Sequence, residues 1–364
     1  MFYLLSLLTG ILECGWILNG ICHSLPLWHI LCYPLAYHLG NLFPKPFAVK
    51  KIIISSMCIA SLLITTILFF LKHTTMPDIF HFMEWSGTCL RLFMLSAVIQ
   101  SVRSDMKQEG NRLLKRVARV GGFLLSVLAI WIPEILFFGA TVIAFFALPY
   151  YGQKPHFTCM ENQGGYSSVM IFHQLHYFFY AHITLAAVSI GLGKGTSPLP
   201  FLDYVFNRNP QAVGCILAIL LFCGTWITYM SVEPFLSRLT NKVTLVFYIG
   251  HSVICLLLLI MSRVTVGTEF IILWLLTGFG GGTVYTISAR AKSRGTFDKS
   301  SMTVAENIGH TLGLLAAVIV AACFWDNSPS MMLIYGSVSA FFAVISMTLT
   351  IRKEKHYESI SNNG

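Results

Sequence analysis

The chemistry of this chain is best sought among ionisable side chains that sit inside long apolar runs. Arg91 comes first: a guanidinium keeps its charge, burial in hydrocarbon is costly, and it must therefore find an anion. Glu84, Thr88 and Arg91 follow one another at steps of four and three, which puts them on one stripe of a helix. Thr9, Glu13 and Trp16 mark the first apolar run. His173, His176, Tyr177 and Tyr180 form a stripe near the middle, and Trp274, Thr277, Gly281, Tyr285 and Ser288 form another. Arg91 is suited to anchor the anionic part of a small solute, or to rest against Glu13 or Glu84 when no solute is bound. Carboxylates take up protons where charge is costly, and imidazole titrates near neutrality, so Glu13, Glu84 and His176 are candidates for a coupling proton. Aromatic and glycine stripes also serve plain helix packing, and Trp274 and Tyr285 fit either role.

These stripes need helices, and the composition supplies them. Hydrophobic residues make up 55% of the 364 and charged residues 11%, with a mean hydropathy of +0.71, which excludes an ordinary soluble domain and points to an all-α polytopic membrane protein. A formal net charge of +9 could suggest nucleic acid. The positive residues, however, gather in short loops on one side of the predicted membrane, so the charge reports topology and no nucleic-acid partner is expected. The ten Cys show no paired spacing, and Cys14, Cys58, Cys89, Cys215, Cys223, Cys255 and Cys323 lie in apolar runs where Cys acts as a small hydrophobe. Neither disulfides, a metal nor another cofactor is expected. The opening apolar run continues into the body of the chain without a small-residue cleavage site, so no removable signal peptide is expected.

A helix that crosses hydrocarbon needs about 20 apolar residues. Spacing predicts twelve transmembrane helices, over about 2–21, 25–42, 52–71, 81–102, 119–135, 136–151, 169–193, 211–235, 243–261, 268–289, 303–325 and 330–351. Pro133 and Glu134 can only be a turn or a broken helix end, so the sixth helix either crosses or re-enters. With both termini cytosolic, only Lys72, Lys194, Arg208 and Arg263 fall outside and Arg91 alone falls in a span; the other basic residues, Arg103, Lys107, Arg112, Lys115, Arg116 and Arg119 among them, are cytosolic. Ser101 aligns with Ser288, Arg103 with Arg290, Lys107 with Arg294, Arg112 with Lys299, Gly122 with Gly309, Leu125 with Leu312 and Ala129 with Ala316, all at one offset near half the chain. Such a repeat predicts two six-helix bundles, 1–152 and 169–351, joined by a cytosolic link 153–168 and followed by a cytosolic tail 352–364.

In this architecture the chain resembles the major facilitator superfamily, whose signature GxLxDRxGR[RK] lies between its second and third helices and recurs, degenerate, between its eighth and ninth. Gly40-Asn-Leu42-Phe-Pro-Lys45, followed by Lys50 and Lys51, matches the Gly, the Leu and a cation, with Pro44 where the family has Asp. Glu233-Pro-Phe-Leu-Ser237-Arg238-Leu-Thr-Asn241-Lys242 keeps the Arg and the final cation, with Glu233 for Gly and Ser237 for Asp. Arg91 corresponds to an Arg often found on the family's fourth helix, without the Gln and Gly that follow it there. The resemblance identifies no subfamily. It implies a central cavity lined by helices one, four, seven and ten, with Arg91, Glu84, Thr88, Glu13, Trp16, His173, His176, Tyr177, Tyr180, Trp274 and Tyr285 at the substrate. It also implies that helix five packs on eight and two on eleven. Arg119 would then pair with Glu233, and Glu306 with Lys45 or Lys50, as gates in which His310 shares; static helix-end charges are the plainer alternative.

The function expected is therefore a secondary active transporter, a monomer in a cell or inner membrane, moving a small organic solute by alternating access. An anion is favoured as substrate and a proton as coupling ion. No GxxxxGK[ST] loop is present to bring ATP. The acidic residues Glu13, Glu84 and Glu134 leave a cation or drug exporter of the same fold open. The rival class is a histidine-based haem or metal enzyme using His173, His176 and His182, but His182 lies about 180° from His173 on a helix.

Overall fold

The computed structural model describes residues 1–22, 25–42, 51–72, 77–105, 112–151, 181, 184–186, 188–189, 223–228, 230–231, 243–264, 268–280, 299–323 and 328–361. Among these, every regular element is a helix. The chain divides into two compact units, Met1–Phe157 with Phe201–Cys223, and Thr158–Pro200 with Gly224–Gly364.

In the first unit the helices are α1 (Phe2–Cys22), α2 (Leu27–Leu42), α3 (Lys51–Leu71), α4 (Pro77–Asp105), α5 (Arg112–Leu125), which continues as a tighter 3-10 stretch (Ser126–Ile130), and α6 (Pro133–Ala147), which ends in a 3-10 turn (Leu148–Tyr150). The first three agree with the sequence reading to within two residues. α4 and α5 extend further toward each other than expected, so Arg103, Arg112, Lys115 and Arg116 stand on helices rather than in a loop. Both residue types are good helix formers, so the basic stretch extends the helices instead of ending them.

Which residues face inward identifies the solvent. On α3 the buried face is Ile54, Cys58, Ser61, Thr65 and Leu68, while Ile52, Ile53, Ile59, Leu63, Ile67, Phe69 and Phe70 point out. α6 repeats the pattern, with Phe137, Ala140, Thr141, Ala144 and Ala147 inside and Ile135, Phe138, Phe145 and Phe146 outside. Hydroxyls and small residues inside with large apolar ones outside suit a lipid surround, where helices associate through close packing and polar contacts. Among the described residues, Phe2–Gly20, Lys51–Leu71, Pro77–Arg103 and Pro133–Tyr150 have the length and apolarity of crossing helices. The chain is an integral membrane protein.

Cross-contacts fix the directions of the helices in this unit. Trp85 on α4 bonds to His29 on α2, and Gly40 further along α2 meets Phe93 and Ser96 further along α4, so these two run parallel. Lys72 pairs with Glu134 and Ser61 meets Thr141, so α3 and α6 run antiparallel. α1 and α5 run parallel and touch backbone to backbone: a Cβ on Gly10 would strike the Arg119 carbonyl and stand 3.1 Å from the Gly122 Cα. Further up, Gly15 faces Ser126 and Ala129, and Asn19 Nδ2 donates to the Ala129 carbonyl at 2.9 Å. The expected break at Pro133 is present. Ile132 leaves helical geometry (φ −136°, ψ 52°) and Pro133 takes the first helical position of α6, where its missing N–H costs nothing. α5 with its 3-10 extension rises about 31 Å, and α6 with its turn about 28 Å, against a hydrocarbon core of about 30 Å. The sixth helix is thus a separate element packed along α3.

In the second unit the helices Val243–Met261, Thr268–Gly280, Lys299–Cys323 and Ser328–Ser361 are described. The first coincides with its predicted span. The last continues to Ser361, through residues that the sequence reading assigned to a polar tail. Tyr248 Oη donates to Thr348 Oγ1 at 3.0 Å and Ser337 Oγ to the Cys255 carbonyl at 2.8 Å, an antiparallel pairing of helices. Gly278 lies against Thr225 and Thr228, and Thr228 Oγ1 donates to the Leu275 carbonyl at 3.0 Å. The predicted seventh and eighth helices fall mostly outside the described residues.

Two neighbouring glycines give a direct check of the α1–α5 crossing. A Cβ on Gly122 would strike the Leu7 carbonyl, whereas one on Gly121 meets nothing within 4 Å. Gly122→Leu is expected to destabilise the protein by about 1–3 kcal/mol or to prevent folding, and Gly121→Leu to change stability by less than about 0.5 kcal/mol, read by thermal unfolding in detergent.

Candidate functional site

Arg91 occupies the middle of α4 and is 3% exposed. Its Nε donates to the Gly87 carbonyl one turn back at 3.3 Å, Nη2 to Thr88 Oγ1 at 2.9 Å, and Nη1 to Thr65 Oγ1 on α3 at 3.3 Å. Thr65 is free to accept because its own proton goes to the Ser61 carbonyl at 2.8 Å; next to it Thr141 donates to the Phe137 carbonyl at 2.8 Å, which leaves Ser61 Oγ to donate to Thr141 Oγ1 at 3.1 Å. The guanidinium carbon lies 3.7 Å from the centroid of the Phe137 ring on α6. Trp16 of α1 also stacks on Phe137, with centroids 3.7 Å apart and planes 10° from parallel. Arg91, Phe137 and Trp16 thus join three helices through one aromatic ring. The Trp16 indole Nε1 is buried and has no hydrogen-bond partner among the described residues.

No carboxylate within ion-pairing distance of Arg91 is found among the described residues. Glu84 and Glu134 act on it only through space. Glu84 is half-buried one turn before Thr88, and Glu134 pairs with Lys72 at 3.4 Å. Glu13, the other expected resting partner, is bound instead to Arg119 of α5, which donates from Nε at 3.1 Å and from Nη2. Arg91 therefore rests on neutral oxygens instead of Glu13 or Glu84. Arg119, expected to pair with Glu233, holds Glu13 within its own unit, and Glu233 lies outside the described residues. The physical reason is the Gly10–Gly122 crossing: it brings the Arg119 backbone against α1, and from there the side chain reaches Glu13 one turn along.

The remaining expected residues divide as follows. Trp274 is buried on Thr268–Gly280, and its Nε1 has no hydrogen-bond partner among the described residues. His310 is half-buried on Lys299–Cys323; Glu306 is on the same helix, with its side chain outside what is described. His173, His176, Tyr177, Tyr180, Glu233, Lys45 and Tyr285 lie outside the described residues, as does His182. Among the described residues, no three His, Cys, Asp or Glu side chains come together as a metal ion would require.

The sequence reading overlooked Thr65, Phe137, Ser61 and Thr141, because helices three and six were not expected to reach the charge. Their signal was nonetheless present: Cys58, Ser61 and Thr65 recur at three and four along one stripe of α3, off which the other hydroxyls of that helix, Ser55, Ser56 and Thr66, fall. It also treated Arg103 as a loop cation. In the structure Arg103 Nη2 donates to the Leu5 carbonyl at 3.0 Å and to Ser6 Oγ at 3.3 Å, tying the end of α4 to the start of α1.

Fold and site together define a polytopic helical membrane protein with a charged group buried in one bundle. No family model and no curated protein matches the sequence. Among solved structures, the chain is similar to the nucleoside transporter NupG, with a TM-score of 0.59 and 12% identity over 97% of each chain. It is also similar to a point mutant of that transporter, with a TM-score of 0.56 and 13% identity over 97% of this chain and 98% of that one. At such identity the likeness establishes the fold: nearly the whole chain has the helical fold that NupG also adopts.

The two arginine environments lead to different expectations. Thr65→Val removes one neutral acceptor from a buried charge and should lower stability by about 1.5–3 kcal/mol in chemical unfolding. A double-mutant cycle of Glu13→Gln and Arg119→Gln should give a coupling energy of about 1–3 kcal/mol, and a value near zero would mean that the pair does not hold α1 to α5.

Proposed function

We propose that the chain is a secondary active transporter of the major facilitator type, with two six-helix bundles that alternately open a midplane site to either side of the membrane. The cargo is a small organic solute, an anion by preference, and the driving force is a proton gradient. One observation carries this reading. The guanidinium of Arg91, at the centre of a helix of membrane length, is held by two hydroxyls, a carbonyl and a ring, with no carboxylate in contact among the described residues. Hydrogen bonds from neutral oxygens satisfy the N–H groups and leave the charge uncompensated, and an uncompensated charge in low dielectric attracts an anion. Were the residue structural only, an apolar side chain of similar volume would serve at lower cost.

The likeness to a nucleoside transporter supports the transporter class and raises a second cargo, an uncharged nucleoside. Trp16 favours it, since an aromatic ring whose buried Nε1–H has no partner among the described residues suits the acceptors of a nucleoside. Proton coupling is assigned to Glu13 or Glu84, with His176 as a third candidate; His173, Tyr177, Tyr180, Trp274 and Tyr285 complete the proposed cavity. Lys45, Glu306 and His310 remain proposed gate residues.

The test is uptake into liposomes holding the purified chain. Radiolabelled carboxylates, phosphate esters and nucleosides are compared with and without an inside-alkaline pH gradient. Anion uptake that rises with the gradient and drops at least about tenfold in a normally folded Arg91→Ala variant supports the anion reading. Uptake confined to nucleosides selects the second cargo, and full uptake by Arg91→Ala removes Arg91 from the site.

A further inference from the structure

A second cationic centre lies at the end of the first unit where α1 begins and α4 ends. Arg103 on α4, Arg119 on α5, Glu13 and Ser6 on α1 and Tyr37 on α2 are within electrostatic or hydrogen-bonding reach of one another, and Asn41 bonds to Tyr37. Among the described residues two guanidiniums face one carboxylate, Glu13, which Arg119 holds through Nε and Nη2. Arg103 is left with neutral acceptors. Of its nitrogens only Nη2 forms hydrogen bonds among the described residues, to the Leu5 carbonyl and Ser6 Oγ, and its Nε–H is buried with no partner there. A buried donor on a charged group, left unpaired, costs more than a made bond returns. The geometry points to a ligand that supplies both the missing acceptor and the missing negative charge.

We propose that Arg103, with Ser6 beside it and Arg119 within electrostatic reach, forms a binding site for an oxyanion, a phosphate or carboxylate group. Arg suits such groups because its planar fork offers parallel N–H donors, which an ammonium lacks. Glu13 tunes the site's charge: among the described residues its carboxylate offsets one of the two guanidiniums, and its removal leaves both uncompensated. The site is separate from the Arg91 cage, which takes its contacts from α3 and α6, and it stands whether or not Arg91 meets the cargo. The oxyanion has two possible sources, a free solute and the phosphate of a lipid headgroup.

The probe is inorganic phosphate, measured by equilibrium dialysis against the full chain in detergent. A parallel arm follows thermal unfolding in nanodiscs of phosphatidylcholine with and without phosphatidylglycerol. Saturable phosphate binding, weakened at least about tenfold by Arg103→Gln and unaffected by Arg91→Gln, identifies a free oxyanion as the ligand. Stabilisation by phosphatidylglycerol that disappears in Arg103→Gln, without free phosphate binding, identifies the headgroup. Arg103→Lys keeps the charge and is expected to fold while binding about three- to tenfold more weakly, which covers the case in which the glutamine variant does not fold. Glu13→Gln is expected to bind phosphate at least about threefold more tightly. Ligand effects that are the same with and without Arg103, or a Glu13→Gln protein that binds less tightly than its parent, overturn the proposal. Neither result bears on uptake through Arg91, which the liposome assay reads independently.

Discussion

An arginine at the midpoint of a membrane helix, without a carboxylate beside it, sets the terms for the helices packed around it. A charge at the centre of a crossing helix costs about 2.5–3.5 kcal/mol on insertion scales, whereas hydrogen bonds to a charged group return about 1.5–3 kcal/mol each and a desolvated cation–π contact about 2 kcal/mol. Three such bonds and the Phe137 ring are therefore large enough to hold Arg91 in place. Each demands something of a neighbouring element. α3 must turn Thr65 inward, α6 must bring Phe137 under the guanidinium, and α1 must close the far side of that ring with Trp16. The inward hydroxyl seam of α3 and α6 follows from the charge they enclose.

α1 and α5 are joined by a different logic. Their contact depends first on the absence of side chains, at Gly10 and Gly122, because only then do the backbones approach closely enough for Arg119 to span to Glu13. The ion pair is in turn shielded by that close packing, which raises its strength and the cost of breaking it. One bundle thus holds two arginines under opposite rules: Arg119 with its charge matched and Arg91 with its hydrogen bonds matched and its charge open.

Much of this was legible in the chain before any coordinates. Apolar run lengths set the limits of α1, α2 and α3, and the Pro133 break followed from a missing N–H and a disfavoured α conformation at the residue before it. The spacing of Glu84, Thr88 and Arg91 gave one stripe of a helix, and on that stripe Thr88 does meet Arg91. Partner choice was not legible. Glu13 and Arg119 are far apart in sequence, and nothing local to either says which carboxylate a given guanidinium will reach; that is decided by a glycine crossing, which has no sequence period of its own. Arg103 was misread for a related reason, since a cation in a basic stretch reads as solvated until its helix is seen to continue beneath it.

α4 carries both Arg91 and Arg103, and their separation along the helix has a mechanical consequence. Twelve residues amount to about 18 Å of rise and about 120° of rotation, so the two guanidiniums leave α4 on different sides and grip different neighbours, α3 and α6 at the middle and α1 at the end. A rigid helix held in this way cannot rotate about its axis to loosen one grip without loading the other. The Arg103 contacts are to a carbonyl and a hydroxyl at the start of α1, and that end is itself anchored, with Leu5 and Leu8 buried in the core and the Phe2 ring under the Lys115 ammonium of α5. α4 is thus fixed in rotation by two guanidiniums on different sides, one caged at its midpoint by α3 and α6 and one tied to α1 at its end, and the position of each limits where the other can sit.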